Sequence, residues 1–135
     1  MASVLFVDDE GSLRRAVRAA LGRRGHTVRT AGTIVRAIQC LEQFRFDGVF
    51  VDIWLNDGSG FDLVSWMQNH QPRLAKRVVF VTGDIVLTDR LGKRMRALEL
   101  PVIAKPFEMA ELERYVDRWN EVGVAGVVDA HPPGL

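Results

Sequence analysis

The stretch Ser3-Val4-Leu5-Phe6-Val7-Asp8-Asp9-Glu10 runs through four consecutive apolar side chains and then stops on three carboxylates. A strand with one wet face would alternate apolar and polar residues. An unbroken apolar run reads instead as a strand buried on both faces, which hands its polar groups to the carboxyl edge of a sheet. Downstream, Leu13, Ala16, Val17, Ala20 and Leu21 fall at helical spacing, with Ser12 as candidate cap and Gly25 as stop. Residues 3–25 thus form one strand–helix unit.

The unit recurs. His26 to Thr30 reads as a second strand, followed by a helix carrying Ile34, Ala37, Ile38 and Leu41. Asp47 to Asp52 is a third strand, and the loop Leu55 to Gly60 leads to a helix with Phe61, Val64 and Met67 on one face. Arg77 to Thr82 is a β-branched fourth strand, and Leu87, Leu91, Met95 and Leu98 mark a helix weakened by Gly92. Pro101 to Ala104 makes a fifth strand with its proline at the first position, and Glu108 to Trp119 a last helix with Leu112, Val116 and Trp119 inward. Five strands alternating with five helices predict an α/β fold: a doubly wound parallel sheet covered on both faces. In such sheets ligands bind beyond the carboxyl ends of the strands.

Composition agrees. The 135 residues, 47% apolar and 26% charged, suit one globular domain, expected over 1–120, with 121–135 as a C-terminal tail or linker. A net charge of +1 gives no reason to expect nucleic acid or an anionic membrane as a partner. Arg14, Arg15, Arg18, Arg23, Arg24, Arg29 and Arg36 crowd the first third, as a solvated face or as a docking surface for an acidic partner. The single cysteine, Cys40, reads as core filler and requires no oxidising compartment. With no apolar run of membrane-spanning length and no signal-peptide layout, a cytoplasmic location is expected.

Four strands place polar groups at their carboxyl ends: Asp8 and Asp9, Asp52, Thr82, and Lys105. The fold brings them to one edge. Three crowded carboxylates repel one another unless a cation lies among them, and magnesium suits an all-oxygen set. Any one of these residues alone would be a turn, a cap or a solvated side chain, as Asp57, Asp62 and Asp84 are expected to be. The histidines His26, His70 and His131 share no metal-ligand spacing.

Val7-Asp8-Asp9-Glu10, Val51-Asp52 with Leu55-Asn56-Asp57-Gly58-Ser59-Gly60, Val81-Thr82-Gly83-Asp84 and Lys105-Pro106-Phe107-Glu108 together resemble the response-regulator receiver domains of two-component signalling. The resemblance covers about residues 3–119. It implies a flavodoxin-like sheet of strand order 2-1-3-4-5 and a phosphoacceptor, Asp52, charged by a partner histidine kinase or histidine phosphotransfer protein. It further implies Mg2+ held by Asp8, Asp9, Asp52 and the backbone carbonyl of Trp54. Thr82, Lys105 and the backbone amide of Gly83 would meet the phosphoryl oxygens, and Lys105–Pro106 would be a cis peptide. Such a domain catalyses only its own phosphorylation and hydrolysis and signals through contacts with a downstream protein that the sequence does not name.

Three positions depart from the pattern or refine it. Val102 stands where family members often carry Tyr or Phe, which puts the usual aromatic switch in doubt. Trp54 is bulky beside the acceptor and predicts slow loss of the phosphoryl group. Leu98 to Phe107 looks like the receivers of hybrid histidine kinases more than those fused to DNA-binding domains. A phosphohydrolase with an aspartyl nucleophile would need a second Asp where Trp54 stands, and a constitutive interaction module would need no phosphorylation at all.

Overall fold

The computed structural model describes residues 1–83 and 89–121, the side chains of 89–91 excepted. Along the chain the elements are β1 (Ser3–Val7), α1 (Gly11–Arg23), β2 (Thr27–Ala31), α2 (Ile34–Gln43), β3 (Gly48–Asp52), β4 (Trp54–Leu55), β5 (Gly58–Ser59), α3 (Gly60–His70), α4 (Pro72–Ala75), β6 (Val78–Thr82), α5 (Asp89–Leu98), β7 (Val102–Ala104) and α6 (Met109–Glu121). The main sheet has the order β2-β1-β3-β6-β7, every pairing parallel, which is the expected 2-1-3-4-5 when only the five long strands are counted.

Alternate side chains of each strand feed opposite faces. Leu5, Val7, Val49, Val51, Val78 and Phe80 pack with Ala37, Leu41, Phe61, Val64 and Met67 of α2 and α3. Val4, Phe6, Val28, Phe50, Val79, Val81 and Ile103 pack with Val17 and Leu21 of α1 and Leu112, Val116 and Trp119 of α6. Both faces are covered, so the central strands are apolar throughout. Truncating a side chain such as Phe50, fully buried between Phe6 and Trp119, costs about 3–5 kcal/mol on the usual scale for aromatic cores.

Several expectations need correction. There are six helices among the described residues, not five: α4 is one extra turn, started by Pro72 at a position where a missing N–H costs nothing. The loop Leu55 to Gly60 is partly a ribbon, with Trp54 opposite Ser59. Ser12 does not cap α1. The helix begins at Gly11 with Glu10 in the cap position, and the Ser12 hydroxyl donates to Glu10 Oε1 at 3.2 Å. Ala16, expected inward, is exposed. Gly25 does end the unit, at φ +90°, a left-handed conformation that glycine adopts without penalty. Asp84, Leu87, the Leu91 side chain and the tail past Glu121 lie outside the described residues.

The parallel register aligns the carboxyl ends. Val7 pairs with Val51, Asp52 with Val81 and Thr82 with Ala104, so the residues that follow emerge along one edge.

Candidate functional site

Asp8, Asp52 and Thr82 are the buried polar or charged side chains among the described residues, and all three lie at this edge. Burying such groups costs free energy unless partners compensate, so their concentration in one place marks where the fold sacrifices stability. Lys105, brought in by β7, provides part of the compensation. Its ammonium lies 2.9 Å from Asp52 Oδ2, to which it donates a hydrogen bond, and 2.6 Å from Asp8 Oδ2. The Lys105 amide donates to the Thr82 carbonyl at 2.8 Å, which seats lysine and threonine side by side. The Lys105–Pro106 peptide is cis, as expected.

Each carboxylate is also held by local backbone. Asp52 Oδ1 accepts from the Trp54 amide at 3.2 Å and Asp8 Oδ1 from the Glu10 amide at 2.9 Å. Burial pushes the Asp52 carboxyl above its ordinary pKa, although the hydrogen bonds from Lys105 and Trp54 pull the other way. Burial alone would lower Lys105, but its close pairing with the Asp8 and Asp52 carboxylates outweighs burial and holds the ammonium above its ordinary value. The two shifts reflect an uneven share: lysine has two anionic partners, whereas Asp52 divides one cation with Asp8.

Asp9 is exposed and completes a set of three carboxylates whose oxygens come within 4.8 Å of one another. Asp8 Oδ2 is buried and accepts no well-directed hydrogen bond, although the ammonium lies beside it. A carboxylate oxygen held only by the lysine ion pair and facing two other carboxylates, with no nitrogen or sulfur in the acidic set, fits a hard divalent cation such as magnesium. Trp54, whose amide bonds to Asp52, is 45% exposed. Among the described residues, a Cβ at Gly83 would come no closer than ordinary contact with the Lys105 stem, at 3.9 Å. Val102 sits on β7, also 45% exposed.

Two residues have roles that their sequence setting did not signal. Asp57, expected as a turn or cap residue, is a cap, but of a helix distant in sequence: its two carboxylate oxygens accept the amides of Ile34 at 2.9 Å and Val35 at 3.1 Å at the start of α2. Arg14, one of several arginines on α1, donates to the Asp8 carbonyl at 2.7 Å. Asp62 does cap its own helix, in a reciprocal box with Ser59. Trp119 is buried in the core, whereas Trp66 packs at the core's edge and stacks on His70. Cys40 is a half-buried free thiol against the α2 and α3 core.

Comparison with known proteins places this geometry in context. The family described as response regulator receiver domain matches residues 4–117. Among curated relatives, the response regulator protein PilR of Pseudomonas aeruginosa is 30% identical over 83% of this chain and 24% of its own length. The alginate biosynthesis transcriptional regulatory protein AlgB of the same species is 32% identical over 88% of this chain and 26% of its own. The chain therefore spans about a quarter of the length of these relatives, which carry the names of regulators and not of hybrid kinases. Among solved structures, the non-phosphorylated HemR receiver domain of Leptospira biflexa superposes with TM-score 0.75 at 27% identity, covering 97% of this chain and 99% of that one. The chemotaxis response regulator CheY4 of Vibrio cholerae gives 0.74 at 26% identity, with 88% and 98% covered. No helix among the described residues is long and apolar enough to cross a membrane.

Proposed function

The chain belongs to the response regulator receiver domain family, and from that premise we propose that Asp52 accepts a phosphoryl group from a partner histidine kinase or histidine phosphotransfer protein in a magnesium-dependent reaction. The observation that carries the reading is the Lys105 ammonium, 2.9 Å from the Asp52 carboxylate within a buried acidic cluster. An Asp52 oxygen bonds to phosphorus as the bond from phosphorus to the donor's imidazole nitrogen breaks, and the imidazole leaves with the bonding pair. Lys105 already stands where it can pair with a phosphoryl oxygen, and Thr82, seated next to it, donates its hydroxyl to another. The Gly83 amide serves a third. Asp8, Asp9, Asp52 and the Trp54 carbonyl would hold Mg2+, which would supply positive charge to offset the repulsion between the carboxylate and the incoming anion.

The added charge shifts an equilibrium between surface conformations that a downstream protein reads. In this reading the domain turns over no outside substrate, contacts neither nucleic acid nor membrane, and works in the cytoplasm. With Val102 at the aromatic position, the response does not run through an inward-swinging ring. The exposed Trp54 indole shields the acyl phosphate from water, and Trp54→Ala is expected to shorten its lifetime by up to about tenfold.

The test is incubation with acetyl phosphate and Mg2+ followed by intact-mass measurement. One added phosphoryl group, absent from Asp52→Asn, is the expected outcome. Rapid turnover of many equivalents would support a hydrolase instead, and no labelling a constitutive interaction module.

A further inference from the structure

We propose that Arg14 is a positioning residue for the metal-binding carboxylates, an inference that rests on the receiver reading above. The polar atoms of Asp8 are fixed one by one. Its amide donates to the Ala31 carbonyl at 3.0 Å, its Oδ1 accepts from the Glu10 amide at 2.9 Å, and its carbonyl accepts from Arg14 Nη1 at 2.7 Å. Oδ2 alone is left to face Lys105, Asp9 and Asp52. Of these three fastenings, Arg14 is the one made by a side chain.

Its guanidinium also lies against the loop after β2. A Cβ built on Gly32 would come within 3.0 Å of Arg14 Nη1 and 3.3 Å of its Cζ. Arg14 is therefore wedged between the turn that carries Asp8 and Asp9 and the loop that follows Ala31, whose carbonyl receives the Asp8 amide. It joins the carboxyl ends of β1 and β2 from above, as a brace on the acidic turn. Partners that orient metal ligands without touching the metal commonly contribute 10–100-fold to metal affinity.

Charge alone would have the opposite consequence. A cation on the backbone of the turn that carries Asp8 and Asp9 repels a divalent metal bound there, so removing it should tighten binding by electrostatics. The direction of the change separates the two roles.

The experiment titrates the full chain with Mn2+, an oxygen-seeking stand-in for Mg2+, and follows the free ion by electron paramagnetic resonance with no phosphodonor present. Arg14→Ala is expected to raise the dissociation constant about 10-fold. Arg14→Lys, which keeps the charge and one donor but loses the planar fork, should fall between wild type and alanine. Gly32→Ala, which crowds the guanidinium without removing it, should weaken binding in the same direction and covers the case in which Arg14→Ala fails to fold. Unchanged or tighter binding in the Arg14 variants, or in Gly32→Ala if Arg14→Ala is unfolded, overturns the brace. Failure of the wild type to take up Mn2+, or uptake unaffected by Asp9→Asn, overturns the metal site itself and with it the reading on which the brace depends.

Discussion

The two ends of β1 and β3 are built on opposite terms. At the amino end, polar groups meet complementary partners. Ser3 and Asp47 exchange hydrogen bonds at 2.8 and 2.6 Å, the Ala2 amide donates to His26 Nδ1 at 3.0 Å, and Arg24 pairs with Glu113 and Asp117 at 3.4 Å. At the carboxyl end, like charges are gathered, two of them are buried, and one lysine serves both. One end holds the sheet together; the other stores unfavourable electrostatics that a divalent cation can relieve.

Glycines at the two ends of β3 give the largest expected effects. A methyl group at Gly48 would run into the Trp119 ring, itself packed on Phe50, and one at Gly60 would lie 2.6 Å from the Asp52 carbonyl oxygen. Each alanine substitution should cost on the order of 1–3 kcal/mol in urea unfolding, as overpacking does. Their activities should diverge. Gly48→Ala should accept phosphate at the wild-type rate while folded, whereas Gly60→Ala, which shifts Asp52, should be slowed; equal rates would break the comparison.

Next in size is Lys105→Met, which leaves Asp8 and Asp52 without their cation. We expect about 2 kcal/mol of lost stability without divalent metal, below the range for fully buried pairs because Lys105 is partly exposed, and recovery on adding Mg2+. A loss that Mg2+ does not reverse would argue against a metal among these carboxylates. Asp57→Ala, which takes two acceptors from the first turn of α2 but leaves its Thr33 cap in place and does not touch the cluster, should cost about 1 kcal/mol and leave phosphorylation unchanged.

The smallest effect is in pH, and its sign differs between the ends. Burial holds the His26 pKa below its ordinary 6.5, and its ring accepts the Ala2 amide, which a doubly protonated imidazole cannot do. Its contribution to stability is present above 6.5 and is lost as pH falls through the lower folded value. Asp52, raised above 3.8 by burial, behaves in reverse: its contribution is full below 3.8 and is lost as pH rises through the folded value. Unfolding at pH 7 and at about pH 5.5 should therefore show a loss in the wild type that shrinks in His26→Gln. Asp52→Asn should be more stable than wild type at neutral pH without divalent metal.

Much of this was legible in the sequence. Apolar runs that end on Asp8, Asp52, Thr82 and Lys105 are strong because both sheet faces are covered, and chain order supplies the edge at which they meet. Contacts between loops were not legible. Asp57 looks like any turn aspartate until α2 is placed over it, and Arg14 looks like one of seven arginines until Gly32 is brought alongside. Ser12 has a hydroxyl that suits a cap, but the Glu10 amide is already turned back to Asp8, and cap and helix start both lie two residues earlier. The α4 turn was hidden for a different reason: four residues are too few for periodicity to register.

On the function proposed above, Asp52 at the end of β3, and not Asp8 or Asp9 just beyond β1, receives the phosphoryl group. Borohydride reduction of the chain after treatment with acetyl phosphate and Mg2+ converts an acyl phosphate to an alcohol, which peptide mass mapping locates. We expect homoserine at position 52 and unmodified Asp8 and Asp9. Reduction at either of those residues, or none anywhere in a chain that has gained phosphate, would contradict that assignment.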